Sequence, residues 1–102
     1  MYTMTEVQDV SRPRVRRYVG HVKVEKKNKT SVKRAIVKAT EQIRKEKAPA
    51  HVVWLYVWLK GKLMCRTMWV DPDKTDAPMP KHLDFNDQEG DIGIMWIKAG
   101  GA

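Results

Sequence analysis

The stretch that most constrains the fold is HVVWLYVWLKGKLMCRTMWV, residues 51–70. Two runs rich in β-branched, aromatic and aliphatic residues flank Lys60-Gly61-Lys62, and the glycine is the strong turn signal within them. Side chains alternate between the two faces of a strand, and here both faces are apolar. The stretch is therefore predicted to form a β-hairpin with one face on the core and the other free for a second layer or a partner.

The register of this hairpin depends on its turn. A two-residue loop places Tyr56 opposite Cys65 and Trp54 opposite Thr67, whereas an added bulge residue shifts these neighbours to Arg66 and Met68. Lysine is disfavoured at the first position of a type I′ turn, so we favour the bulged register. One face then carries Trp54, Tyr56, Trp58, Lys62, Met64, Arg66 and Met68. The opposite face is predicted to be core and carries Val53, Leu55, Val57, Leu59, Leu63, Cys65 and Thr67.

An amphipathic helix is predicted between the basic turn at 26–29 and Pro49. Thr30 or Ser31 can cap its N-terminus, and the proline ends it. Apolar residues recur at intervals of three and four, which predicts one stripe facing the sheet. The stripe consists of Val32, Ala35, Ile36, Ala39 and Ile43.

Two further segments have strand patterns. Residues 15–25 are predicted to form a strand with a bulge near Gly20, which would align Val15, Val19, Val22 and Val24 on one face. Residues 91–98 are predicted to form the last strand. The fold class is therefore α+β, with one helix packed on an antiparallel sheet of about four strands in β-α-β-β-β order. We assign residues 1–13 to a flexible basic arm, 14–98 to one domain and 99–102 to a flexible tail.

Charge is distributed unevenly along the chain. The net charge is +8, and residues 1–70 hold 17 of the 20 Lys and Arg residues but 5 of the 12 acidic residues. Clustered cations can neutralise phosphates, although they can also be a solvated surface or protect a sheet edge. The residues predicted to bind nucleic acid are Arg12, Arg14, Arg16, Arg17, Lys26, Lys27, Lys29, Lys33, Arg34 and Lys38.

The sequence offers little for catalysis or metal binding. Cys65 lies in mid-strand and is expected to be a small buried hydrophobe, and the three histidines have no recognisable spacing to it. The acidic stretch at 71–80 has DxDxxD spacing, but its proline at the second position and missing glycine at the sixth argue against a calcium loop. We predict no enzyme activity, no metal and no cofactor.

A single cysteine fits a reducing compartment, and no segment has the length and apolarity of a membrane span. The N-terminus also lacks the basic and apolar regions of a signal peptide. A cytoplasmic protein without a membrane partner is therefore expected.

Two classes of function fit these features. The first is a small basic nucleic-acid-binding protein, for DNA or RNA with weak sequence preference, which combines phosphate contacts with stacking on exposed aromatic rings. The second is a non-catalytic protein-interaction module, such as a phage-type inhibitor or adaptor, that docks on an acidic partner protein. Its interface would consist of Trp54, Tyr56, Trp58, Arg66 and Met68. A homodimer would be the simplest way to bury that face. The charge asymmetry favours nucleic acid.

Overall fold

The computed structural model describes residues 2–71, 73 and 85–97. They form one helix and a mixed sheet of seven strands. The elements are β1 (Tyr2–Met4), β2 (Gln8–Asp9), β3 (Arg17–Val24), α1 (Lys29–Glu46), β4 (Val52–Leu59), β5 (Lys62–Val70), β6 (Asp87–Glu89) and β7 (Ile92–Trp96). The hydrogen-bonded order is β1-β3-β4-β5-β7-β6, and β2 also pairs with β3.

The predicted α+β class is confirmed, but the sheet is larger than four strands and is not purely antiparallel. β3 and β4 pair in parallel, from Arg17 opposite Val52 to Val24 opposite Leu59. A parallel pair needs a crossover connection, and α1 provides it. The segment assigned to a flexible arm contributes β1 and β2, which both pair with β3. The assigned tail at 99–102 lies outside the described residues.

α1 begins earlier than predicted. Its N-cap is Asn28, whose Oδ1 accepts hydrogen bonds from the backbone N–H groups of Thr30 at 2.8 Å and Ser31 at 3.2 Å. The cap satisfies amides that the first helical turn leaves without a partner. The predicted stripe of Val32, Ala35, Ile36, Ala39 and Ile43 is confirmed as buried. It packs in one cluster with core residues of β3, β4, β5 and β7.

The β4–β5 hairpin has a two-residue turn and also a bulge. Lys60 and Gly61 have φ values of 50° and 79°, the pattern of a type I′ turn. The register then shifts, so that Trp58 lies opposite Leu63 and Met64 is the additional residue. Met64 packs against the core cluster on the α1 side. Leu63 was predicted to face the core, and Lys62 and Met64 were predicted to share a face with Trp58. These three assignments were wrong, because the bulge lies beyond the turn, between Leu63 and Cys65.

Beyond the bulge, the predicted register is confirmed. Tyr56 lies opposite Arg66, and Trp54 lies opposite Met68. The predicted core residues of this region are fully buried, namely Val53, Leu55, Val57, Cys65 and Thr67. One face of the hairpin is therefore covered by α1, and the other face carries Trp54, Tyr56 and Trp58.

β3 alternates regularly, so the predicted bulge at Gly20 was wrong. Its pairing with β4 runs from residue 17 to residue 24 without a register shift. Gly20 faces α1, where a Cβ would lie 3.1 Å from Ile43 Cδ1 and 3.2 Å from Leu55 Cδ2. The missing side chain lets α1 approach the sheet closely. Val19 consequently lies on the other face, beside Trp54.

Replacing Gly20 with valine is expected to lower the free energy of unfolding by about 1 to 3 kcal/mol, because the added methyl groups overfill the space beneath α1. Urea denaturation measures the change. Val19→Ile is the matched control, since it enlarges a half-buried side chain on the uncovered face. An unchanged midpoint for Gly20→Val would contradict the close packing of α1.

Candidate nucleic-acid interface

The sheet face that α1 does not cover, here called the open face, is aromatic and cationic. Its side chains alternate with core residues along β3, β4, β5 and β7. They are Arg17, Val19, His21, Lys23, Trp54, Tyr56, Trp58, Arg66, Met68 and Met95. The sequences of these four strands contain no acidic residue. The open face can therefore attract phosphate and present ring surfaces at the same time.

Aromatic contacts fix the rings at one end of the open face. The His21 ring stacks on Tyr56 with centroids 5.3 Å apart and an interplanar angle of 18°. It also stacks on Trp58 at 6.2 Å, and Trp58 Nε1 donates a hydrogen bond to His21 Nδ1 at 3.1 Å. Because the partners hold each other, Trp58 and Tyr56 are presented in one orientation, with each side chain half-buried.

Arg66 lies in the middle of the open face, between Tyr56 and Met95 in the neighbouring strands. Its Nη2 donates to Met95 Sδ at 3.6 Å. Its Nε is buried and has no hydrogen-bond partner within the described residues. A guanidinium group has five N–H donors. Arg66 therefore keeps donors for an acceptor supplied by a ligand.

The arginine-rich segment folds against the other end of the open face. Arg12 and Val15 exchange backbone hydrogen bonds of 2.8 and 3.0 Å, and Arg14 between them has φ of 74°. Because Pro13 precedes Arg14, residues 12–15 form a type II turn. Val15 is buried against Val52 and Met68. The turn is thus anchored by an apolar side chain, and Arg12 and Arg14 are exposed beside the open face.

Met68 lies on the open face but is almost fully covered there by its neighbours. It is only 3% exposed and packs in the same small cluster as Trp54 and Phe85. The Phe85 ring lies over Gly93, where a Cβ would come within 2.9 Å of it. Of the five side chains assigned to the interface, Met68 therefore has almost no surface to offer a ligand, whereas Trp54, Tyr56, Trp58 and Arg66 are partly exposed.

Lysines lie around the hairpin end of the sheet. A groove of about 700 Å³ is lined there by Lys23, Trp58 and Lys60, together with Thr5, His21, Val24 and Gly61. A second groove of about 820 Å³ has Lys27 and Lys29 at its rim and Trp96 among its apolar residues. Lys29 Nζ lies 5.1 Å from the centroid of that indole. The predicted residues Lys27 and Lys29 are thus brought to the same end of the sheet as Lys23.

Lys33 is paired with acidic groups of β6. Its Nζ lies 3.1 Å from Asp87 and 3.9 Å from Glu89. Asp87 also accepts a hydrogen bond from Trp96 Nε1 at 2.8 Å. That bond, the backbone N–H of Gln88 and the Lys33 ammonium lower the pKa of Asp87 to about 2. Lys33 is therefore already neutralised by its neighbours.

The other predicted cations have separate positions. Arg16 donates from Nε and Nη2 to the Tyr18 hydroxyl at 3.0 and 2.7 Å. Arg17, at the start of the open face, donates from Nε to the Val10 carbonyl at 3.2 Å. Arg34 and Lys38 are exposed on α1, and Lys26 is exposed in the β3–α1 connection. Because α1 covers the opposite face, its cations cannot join those of the open face around one short ligand.

The described residues show no metal-binding group of three or more His, Cys, Asp or Glu. Cys65 is buried, and this burial raises the pKa of its thiol to about 12. His51 Nδ1 accepts a hydrogen bond from the Arg16 backbone N–H at 2.9 Å, while His82 and most of the acidic stretch at 71–80 lie outside the described residues.

Across the described chain, no helix combines the length and apolarity needed to cross a bilayer.

His21, Lys23 and Lys60 belong to this surface but were not predicted from the sequence. The available signal was the two-residue period of β3, which gives His21 and Lys23 the same parity as Arg17.

Comparisons of the chain with protein families, with curated proteins and with solved structures found no match.

Proposed function

We propose that this protein binds nucleic acid through its open face, with weak sequence preference. The observation that supports the proposal is the convergence of aromatic rings and cations on a surface whose four strands contain no acidic residue. Cations supply affinity that does not depend on sequence, because every nucleotide carries a phosphate. Exposed rings accept any base, because every base has a π-face.

The cations lie at both ends of β4. Arg12, Arg14 and Arg17 lie near its first residues, and Lys23 and Lys60 lie near its last residues. A nucleic-acid chain that follows β4 would meet phosphate-binding groups before and after the rings. The proposed interface is therefore a track with aromatic residues in the middle and about five cations at its ends.

Binding should depend steeply on salt. If the track makes about five phosphate contacts, the logarithm of affinity should fall with the logarithm of salt concentration with a slope of roughly 3.5 to 4.5. Fluorescence anisotropy with a labelled oligonucleotide, from about 50 to 200 mM salt, measures the slope. A flat dependence, or no binding at the lowest salt, would remove the proposal.

Two double variants with equal loss of charge locate the interface. Arg12→Gln with Arg14→Gln should reduce the slope by about 1.4 to 1.8, because two phosphate contacts are lost. Arg34→Gln with Lys38→Gln is the matched control on α1, and its slope should stay close to that of the unmodified protein. A larger effect from the α1 pair would place the interface on the helix.

A further inference from the structure

We infer that the open face takes a single strand in preference to a duplex, with the strand laid along β4 and its bases stacked on Trp54, Tyr56 and Trp58. This inference rests on the proposed function and specifies the form of nucleic acid that the same site takes. Spacing, shape and ring presentation support it, and charge distinguishes a nucleic acid from a second copy of this chain as the occupant.

The spacing of the three rings favours a single strand. Alternate residues of a strand lie about 6.6 Å apart, so the three rings of β4 are separated by about that distance. Bases in a duplex follow each other at about 3.4 Å per strand, and their faces are covered by their neighbours. A base can therefore reach each ring only if the nucleic acid is unpaired and extended to about twice the duplex spacing.

The shape of the open face also favours a single strand. At the row formed by His21, Tyr56, Arg66 and Met95, the open face extends over four adjacent strands, β3, β4, β5 and β7, which span about 14 Å. This width exceeds that of the B-DNA major groove, about 12 Å, and is more than twice that of the minor groove. An α-helix is narrow enough to enter a major groove. The helix of this protein is α1, and its Lys33 is already paired with Asp87. The open face thus has the form of a platform for an exposed strand.

The three rings of β4 are held in place and remain partly accessible to a base. Trp54, Tyr56 and Trp58 are each half-buried, so one part of each side chain is held by the sheet and another part is open to a ligand. His21 fixes two of them by stacking. Arg66 lies next to Tyr56, where a planar guanidinium can stack on a base or bind a phosphate. Few side-chain rotations need to be frozen when a base binds, which favours affinity.

Charge distinguishes a nucleic acid from a second copy of this chain as the occupant. Two open faces in contact would bring Lys23, Arg66 and the arginine turn of each copy together, and the four strands hold no carboxylate to compensate them. Like charges in apposition oppose association. A polyanion has the complementary charge.

The test compares three labelled probes of one mixed sequence, about 12 nucleotides long. They are single-stranded DNA, single-stranded RNA and duplex DNA, each titrated with the full chain at the same salt. Single strands are expected to bind at least about tenfold more tightly than the duplex. The DNA and RNA probes show which sugar is preferred.

Variants of one ring then assign the stacking. Trp58→Ala should weaken single-strand binding roughly 5- to 140-fold, the range for loss of one stacked base, and should leave duplex binding unchanged. Trp58→Phe keeps a ring and should keep most of the affinity. Tyr56→Leu preserves apolar bulk and serves as a second ring deletion if Trp58→Ala melts too early for titration.

The outcomes separate the inference from the proposed function. Equal affinity for duplex and single strand would refute the inference and leave nucleic-acid binding in place. Absence of binding to all three probes at low salt would remove both. A dimer that light scattering detects, and that Trp58→Ala dissociates, would assign the open face to self-association and overturn the inference.

Discussion

Replacing Trp69 with alanine is expected to lower the free energy of unfolding by about 3 to 5 kcal/mol. Trp69 is 2% exposed within the core beneath α1. Its Nε1 donates to Asp91 Oδ2 at 3.0 Å, and the Arg44 guanidinium lies 4.0 Å from its ring centroid. The truncation leaves a cavity and removes both polar contacts. Small domains are stable by only about 5 to 15 kcal/mol, so the midpoint of urea denaturation should fall strongly.

Two controls test the assignment of faces. Trp69→Phe keeps most of the buried apolar area and loses the bond to Asp91, so it should cost less than the alanine variant. Trp58→Ala removes an equally large ring from the open face, where it is half-buried, and should also cost less. If Trp58→Ala proved more destabilising than Trp69→Ala, the result would mean that the face carrying Trp58, and not the face carrying Trp69, packs on α1.

Replacing Arg66 with methionine should reduce oligonucleotide affinity by at least about 30-fold, the effect of losing a central interface residue worth 2 kcal/mol or more. The same change should leave the free energy of unfolding unchanged or raise it by about 1 kcal/mol. The reason is that Arg66 Nε is buried without a partner in the described structure, and removal of such a donor relieves a desolvation cost. Anisotropy titration and urea denaturation of one preparation measure both effects.

Arg66→Lys is the matched control. It preserves the positive charge but lacks the planar fork of donors, so its affinity should be intermediate. A loss of several kcal/mol of stability in Arg66→Met would show instead that this side chain serves the fold.

Local patterns predicted the parts of the fold that depend on neighbouring residues. The three- and four-residue spacing of Ile36, Ala39 and Ile43 predicted the buried face of α1, because burial of a helix follows its own period. The pairing of Tyr56 with Arg66 was also predictable, since a shift by one residue would exchange the faces of the whole strand.

Contacts between distant segments were not predictable in the same way. The strand-helix-strand order is compatible with a parallel pair, but the sequence does not show that β3 and β4 become neighbours, and β6 is too short to have a pattern. Gly20 looked like a bulge because a glycine in a strand has several causes, here the approach of Ile43. Four of the interface residues proved partly exposed on the open face. The predicted nucleic-acid-binding residues of α1, Arg34 and Lys38, do not lie beside those of the arginine-rich segment, because α1 covers the opposite face.

The parallel pairing of β3 with β4 determines how late in folding the proposed binding surface is completed. His21 and Tyr56 are stacked neighbours, yet the whole of α1 separates them in sequence. Contacts of such high contact order form slowly, since the intervening loop must close first. The hairpin that carries Trp54, Tyr56 and Trp58 can form locally. The lysine-lined groove beside it also needs residues of β3, so it forms only after α1 has brought β3 next to β4. In a refolding experiment, tight oligonucleotide capture is therefore expected to lag behind hairpin formation.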